Sequence, residues 1–322
     1  MADAKSLPPP SLPTPIVEGA GLHTAHARVW AKNDGLSHPV YGGNKIRKLW
    51  RVLDEVEALG ARRILTFGTT GSHHVLATAI LARARGIETA AVLLPQPSTP
   101  HVEEMRKAIA AQGVEVHAAR SRLGLPLAFL RAHRQSDYVL APGASTPLGA
   151  RGYADAVLEL ARQVRNQELP EPDVIVVPLG SGGTAAGLLA GILHYGLKSR
   201  VLAVAVAEER FARQLVLGLA RRTLQAMGSL AEPRELAGRL AVDPSRLGAG
   251  YGHAPSDFRL LSAIARRELR LELDETYTAK AFGAALGLIE RAVPRERPLD
   301  VLYWHTLSAT PLEPLVGTPV TG

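Results

Sequence analysis

The chain has 322 residues, 46% hydrophobic and 21% charged, with a formal net charge of +7. That size and balance suit a folded protein of one large or two ordinary domains. The absence of cysteine excludes disulfides, thiolate catalysis and cysteine-ligated metals, and no apolar run reaches the length of a membrane span. The basic excess is interleaved with acids, as in VEEMRKAIAAQG (102–113) and IARRELRLELDE (264–275), so no stripe of the kind a nucleic-acid partner requires is present.

The proline-rich opening MADAKSLPPPSLPTPIVEG lacks the apolar core of a secretory signal and is expected to lie extended on the surface to about Pro15. A cytoplasmic location is the matching expectation. After the segment VYGGNKIRKLW (40–50), strand-like runs alternate with helical patterns: RRILTFG then HHVLATAILARARG, ETAAVLLP then HVEEMRKAIAAQG, and VEVHAA then a helix from about Leu123 to Arg134. DYVLAPG, YADAVLELARQV, the linker candidate NQELPEPD, VIVVPLG, TAAGLLAGILHYG and VLAVAVAEE follow. TYTAKAFGAALGLIERAV and VLYWHT close the pattern. Short apolar runs alternating with helices predict an α/β fold with doubly wound parallel sheets, whose ligands bind where strand C-termini meet helix N-termini.

Two segments carry chemistry. In VIVVPLGSGGTAAGLLAGI, Gly180, Gly182 and Gly183 allow a turn closed to other residues, and the helix N-terminus after it can cradle a phosphate, aided by the Ser181 and Thr184 hydroxyls. The alternatives are a tight turn that binds nothing, or a dinucleotide fingerprint, since Gly180, Gly182 and Ala185 satisfy G-x-G-x-x-A and Glu208 follows the next strand. In GGNKIRKLW, Lys45 and Lys48 stand together in a chain that otherwise carries its positive charge mostly on arginine. A desolvated lysine amine can form a Schiff base, which arginine cannot. Gly42 and Gly43 permit close approach of a cofactor, and Asn44 offers amide hydrogen bonds. The bland alternative is a helix start capped by Asn44, but a basic first turn opposes the helix dipole unless an anion neutralises it.

YGGNKIRKLW resembles the G-G-N-K-x-R-K-L segment of the pyridoxal-phosphate enzymes related to 1-aminocyclopropane-1-carboxylate (ACC) deaminase and D-cysteine desulfhydrase, members of the tryptophan-synthase β-like group (fold type II). GSHHVLATA (71–79), GSGGTAAG (180–187), GAGYGHAPSD (248–257), LDETYTAKA (273–281) and HTLSATPL (305–312) are similar to further segments of that family, in the same order. The resemblance implies that Lys45 holds pyridoxal 5′-phosphate covalently and shuttles protons, assisted by Asn44, while Lys48 and Gly180, Ser181, Gly182, Gly183 and Thr184 bind its phosphate. It implies that Ser72, His73 and His74 meet the substrate carboxylate, that His73 also lies beside the cofactor ring, and that Tyr251 stands near the substrate. Thr306 would face the pyridine nitrogen. Ser72 and Tyr251 would then join Lys45 as catalytic groups. Arg47 is assigned to structural or surface pairing, Tyr277 to a structural role and His305 to the core. Two departures mark the segment comparison: His73 replaces an asparagine, and Leu307-Ser308 replace paired glycines.

The same resemblance implies two doubly wound three-layer domains with the cofactor in the cleft. The larger would comprise residues 1–51 and 161–322, and the smaller, inserted one residues 52–160. It further implies a homodimer and a lyase or deaminase of a small amino acid, ACC or D-cysteine-like, yielding a 2-oxo acid and ammonia. The alternatives are β-replacement on a serine or cysteine derivative, an NAD(P)-dependent oxidoreductase, and a non-catalytic binder of the cofactor.

Overall fold

The computed structural model describes residues 7–208 and 210–317, so the first six residues of the proline-rich lead lie outside the described part. The chain opens with strands β1 (Ile16–Glu18) and β2 (Ala27–Asn33) and helix α1 (Asn44–Ala58). An alternating stretch follows: β3 (Arg63–Thr69), α2 (His73–Ala84), β4 (Glu88–Leu94), α3 (Pro100–Ala111), β5 (Glu115–Ala118), α4 (Leu125–Ala132) and β6 (Tyr138–Val139). Next come α5 (Pro147–Arg165), β7 (Val174–Leu179), α6 (Gly183–Tyr195), β8 (Arg200–Ala205), α7 (Ala212–Ala226), α8 (Pro233–Gly238) and β9 (Leu240–Asp243). The chain ends with α9 (Phe258–Leu269), α10 (Thr278–Glu290), β10 (Leu299–His305) and α11 (Glu313–Gly317).

The strands form two sheets. One, ordered β5-β4-β3-β6, is wholly parallel. The other, ordered β1-β2-β10-β7-β8-β9, is parallel except for its edge pair β1-β2. Helices cover both faces of each, which is why the central strands are largely buried: every residue of β10 is buried, Asp300 and His305 included. On the larger sheet, α5, α6 and α7 cover one face through Tyr153, Leu189 and Val216, and α9 and α10 cover the other through Leu261 and Phe282. On the smaller sheet, α1, α2 and α3 pack on one face through Leu49, Leu76 and Met105, and α4 packs on the other through Ala128 and Ala132. The doubly wound, three-layer expectation is met in both units. Among the described residues, no helix is long and apolar enough to cross a membrane.

The strands of the smaller sheet lie between residues 63 and 139, while α1 (44–58) and α5 (147–165) run across the two ends of the 52–160 segment. α1 gives Ile46, Leu49 and Val52 to the smaller core, and α5 gives Tyr153, Val157 and Leu160 to the larger.

β2 has no counterpart in the pattern read from the sequence. Its run ARVWAKN is broken by Lys32, which is fully buried and is held in place by Glu159 at 2.5 Å and by the Gln163 side-chain oxygen at 2.6 Å, both on α5. A buried charge with partners so distant in the chain looks like a surface residue until the fold is known.

Candidate active site

The loops after β3, β4, β5 and β6 of the smaller sheet, and after β7, β8 and β10 of the larger, converge on one cavity of about 600 Å³. This is the C-terminal edge of both sheets, where parallel α/β folds place ligands.

Lys45 reaches the cavity because of the turn before it. Gly43 has φ +87°, and a Cβ there would come within 2.8 Å of the Thr306 carbonyl oxygen, so the start of α1 lies directly against the end of β10. The Asn44 N–H donates to that same carbonyl at 3.1 Å. Gly43, not Asn44, is the helix cap. The Asn44 side chain works outward instead: its amide donates to Thr184 Oγ1 at 3.1 Å, and its oxygen accepts from the Lys45 amine at 2.8 Å. Burial brings the Lys45 pKa down to about 8, against the opposing pull of the Asp274 carboxylate.

The two basic residues that follow diverge, as successive helical positions must. Lys48 lines the cavity, only 2% exposed and without a carboxylate partner among the described residues. Burial, then the charge of Lys45, holds its pKa well below the ordinary lysine value. Arg47 points away from the cavity into a buried cluster, where it meets Asp34 at 2.8 Å and Glu159 at 2.9 Å. Its pairing is structural and internal rather than on the surface.

The glycine loop lies between β7 and α6. Gly182 takes the left-handed conformation at φ +85°, which turns the chain into the helix. The first turn of α6 supplies N–H groups that have no intrahelical acceptor. One of them, on Gly183, donates to Ser145 Oγ at 3.1 Å, and the Ser145 hydroxyl donates to Ser181 Oγ at 2.8 Å. Gly180, Ser181, Gly182, Gly183 and Thr184 all line the cavity. Ser145 enters from a loop that no sequence motif marks. Glu208, the acid of the dinucleotide alternative, is exposed and does not line the cavity.

Ser72, His73 and His74 form the start of α2, and all three line the cavity. Ser72 caps the helix, its Oγ accepting from the Val75 N–H at 3.3 Å. His73 Nδ1 lies 2.8 Å from the Tyr41 hydroxyl and its Nε2 lies 3.3 Å from His101 Nε2. Burial, then the neighbouring His101, brings His73 down to about 4, so its ring is neutral near pH 7. His74 turns the other way: its Nε2 lies 2.9 Å from Thr66 Oγ1, and its buried Nδ1 has no hydrogen-bond partner among the described residues.

The opposite wall belongs to the larger unit. Tyr251 and Tyr277 place their hydroxyls 2.7 Å apart, and Tyr251 reaches Thr69 Oγ1 at 3.3 Å. Tyr277 lines the cavity, with its ring 5.8 Å from the Lys45 amine, which corrects the structural role expected of it. Asp274 is the one carboxylate among the described lining residues. It accepts from the N–H groups of Thr276 (2.9 Å), Tyr277 (2.7 Å) and Thr278 (3.1 Å) and from the Thr278 hydroxyl (2.7 Å). Burial pushes its carboxyl up, but His73 and these donors hold it below the ordinary value.

Thr306 is 8% exposed and lines the cavity at the end of β10. At the Leu307-Ser308 departure, Ser308 Oγ accepts from the Gly42 N–H at 3.0 Å and from the Thr310 N–H at 3.1 Å, so its side chain ties the loop to the lysine segment. His305 is buried, as expected, with Nδ1 3.1 Å from the Tyr303 hydroxyl.

These residues fit a phosphorylated pyridine aldehyde. A buried amine of lowered pKa stands ready for a carbonyl, a left-handed glycine turn opens onto a helix N-terminus, an unpaired lysine offers charge to an anion, and a threonine hydroxyl borders the same space. Only the unprotonated amine attacks a carbonyl. The rate at which apoprotein takes up the cofactor is therefore expected to rise about tenfold per pH unit up to about pH 8 and to level off above it, followed by the growth of violet-region absorbance.

Residues 8–297 match the family described as "Pyridoxal-phosphate dependent enzyme". The nocardicin C-9′ epimerase of Nocardia uniformis subsp. tsuyamanensis is 35% identical over 298 residues, covering 88% of this chain and 86% of its own. A protein of Pyrococcus abyssi (strain GE5 / Orsay), provisionally named 1-aminocyclopropane-1-carboxylate deaminase, is 30% identical, with coverage of 86% and 83%. The crystal structure of an ACC deaminase homologue superposes with a TM-score of 0.77 at 26% identity, over 94% of this chain and 92% of that one. O-ureido-L-serine synthase, at 19% identity and a TM-score of 0.65, shares the fold. The chain belongs to the pyridoxal-phosphate dependent enzymes, in the tryptophan-synthase β-like fold and the ACC deaminase-like group, and its cofactor is pyridoxal 5′-phosphate.

Proposed function

We propose that the protein is a lyase or deaminase that binds an amino acid resembling ACC or D-cysteine at its reacting end and releases a 2-oxo acid and ammonia. The observation that carries this reading is the buried Lys45 amine, facing the paired hydroxyls of Tyr251 and Tyr277 across one cavity. When bound, pyridoxal phosphate supplies an electron sink for charge that develops at the substrate α-carbon. The Lys45 amine, in the same space, would serve as the base for a proton at that carbon. The first turn of α2, with Ser72 as cap, presents N–H groups suited to the substrate carboxylate. Neutral His73, with both ring nitrogens engaged by Tyr41 and His101, borders the same space without adding charge. Burial raises the Tyr251 pKa, so its hydroxyl keeps its proton and serves as the acid on the side opposite the lysine. A homodimer and a cytoplasmic location belong to the same proposal.

A second reading, epimerisation at the α-carbon, is favoured by the same tyrosine pair, because inversion needs a base on one side and an acid on the other. The relative at 35% identity is named an epimerase. Incubation of the cofactor-loaded protein with each enantiomer of cysteine, serine and alanine, and with ACC, in D₂O separates the two. A lyase yields 2-oxo acid and ammonia. An epimerase yields the deuterated opposite enantiomer with no ammonia. A 2-oxo acid formed only when thiol is withheld would point to β-replacement. Turnover of none of these substrates would overturn the reading of a small amino acid as the substrate. Tyr251→Phe is expected to slow whichever reaction occurs by at least about 10²-fold while the cofactor absorbance is retained.

A further inference from the structure

The cavity does not end at the reacting groups. The smaller sheet is ordered β5-β4-β3-β6, and the loops after all four strands contribute to the cavity wall. The phosphate end lies beside β6: a Cβ on Gly143, just after that strand, would come within 2.2 Å of Ser181 Oγ. The carboxylate grip of α2 follows β3. One strand further on the wall is built from Leu94, Pro95 and Pro97 after β4, and two strands on, roughly 10 Å at ordinary strand spacing, from Ser121, Arg122 and Leu125 after β5. None of the reacting or cofactor-holding groups lies in this part. The loop carrying Tyr251 abuts it, since a Cβ on Gly252 would come within 3.2 Å of Pro97.

Leu94, Pro95, Pro97 and Leu125 make this arm largely apolar, with Gln96 and Ser121 as its neutral polar groups and Arg122 as its cation. Arg122 is exposed and has no carboxylate partner among the described residues. Asp274, the one carboxylate among the described lining residues, lies on the far wall and is engaged by four donors. A substrate of ACC or D-cysteine size leaves the arm empty, whereas a longer side chain ending in an anion would bury its methylenes against Leu94 and Leu125 and meet Arg122.

Resting on the reading of Lys45 as the reacting amine, we propose that the substrate is an amino acid with an extended, largely apolar side chain that ends in a carboxylate, and that Arg122 selects it. Three probes of graded chemistry test this: alanine, 2-aminooctanoate and 2-aminosuberate, which has the same eight-carbon length but a terminal carboxylate. Each is supplied as both enantiomers. The readouts are the concentration that half-saturates the change in cofactor absorbance and the rate of α-proton exchange in D₂O. The expected result is half-saturation by 2-aminosuberate at a concentration about tenfold or more below that for 2-aminooctanoate. Arg122→Gln should remove most of that preference and Arg122→Lys should keep part of it. Equal affinity for the two long probes, or a preference unchanged in Arg122→Gln, overturns the extended subsite, and exchange with alanine would then leave the lysine chemistry standing. If no probe alters the absorbance or exchanges its α-proton, the amino-acid reading falls, and the subsite with it.

Discussion

Lys45→Ala is expected to abolish the violet-region absorbance of the cofactor-loaded protein and to lower turnover at least about 10³-fold. In the proposed function two roles rest on this amine, attachment of the cofactor and movement of the α-proton, and no neighbour is placed to assume either. Lys48 lines the same cavity, but it is the more strongly buried of the two and lies a helical turn away, on the side suited to an anion. Arg47 is committed to Asp34 and Glu159. The substitution removes a side chain that faces open space and is held only by Asn44, so the fold should survive it. Normal absorbance and activity in the variant would refute the assignment of Lys45. Loss of activity with the absorbance retained would move the covalent role to another lysine.

Asp34→Ala is expected to lower stability by about 3–5 kcal/mol, read as a fall in the denaturant midpoint. Asp34 is fully buried and accepts from Arg47 Nη2 at 2.8 Å, Trp304 Nε1 at 2.8 Å and the Tyr153 hydroxyl at 2.5 Å. Its removal leaves Lys32 and Arg47 to share Glu159, which is one buried positive charge too many. The pH dependence has a definite sign. Burial alone would raise the Asp34 pKa, but Arg47 reverses this and holds it below the ordinary 3.8. The stabilisation is therefore complete above that value and is lost as pH falls through the lowered folded-state pKa, so the stability difference between the wild-type protein and the variant is expected to narrow in acid. The cluster also joins the two ends of the site. Arg47 stands two residues after Lys45, and Trp304 two before Thr306. A variant that folds but binds the cofactor weakly would show that the pairing positions these residues as well as stabilising the fold. An unchanged midpoint would contradict the accounting.

Much of the site was legible in short segments because its chemistry depends on local backbone. A glycine turn entering a helix, a serine capping one, and a lysine two residues after a glycine each owe their geometry to adjacent residues. Gly182, Ser72 and Lys45 could therefore be read in order along the chain. Other members owe their place to distant contacts. Ser145 joins the glycine loop only because Gly183 comes within 3.1 Å of it. His101 matters only as the neighbour of His73. Tyr277 looked structural because its own surroundings are a helix start; the Tyr251 hydroxyl, 26 residues earlier and 2.7 Å away, brings it into the wall.

The sequence by itself determined the alternation of strand and helix and pointed to the lysine and the glycine turn that line the cavity, because hydrophobic period and turn chemistry act between near neighbours. Only the tertiary structure decided which basic residue faces the cavity and which is buried in ion pairs, that β2 carries an internal lysine, and that Ser308 ties its loop to the lysine segment. It also decided the reach of the cavity toward Arg122, since that reach follows from the order of strands in a sheet. The physical reason is common to all of these: desolvation, charge pairing and cavity shape depend on how closely distant segments approach, and closeness in space is set by packing rather than by position in the chain.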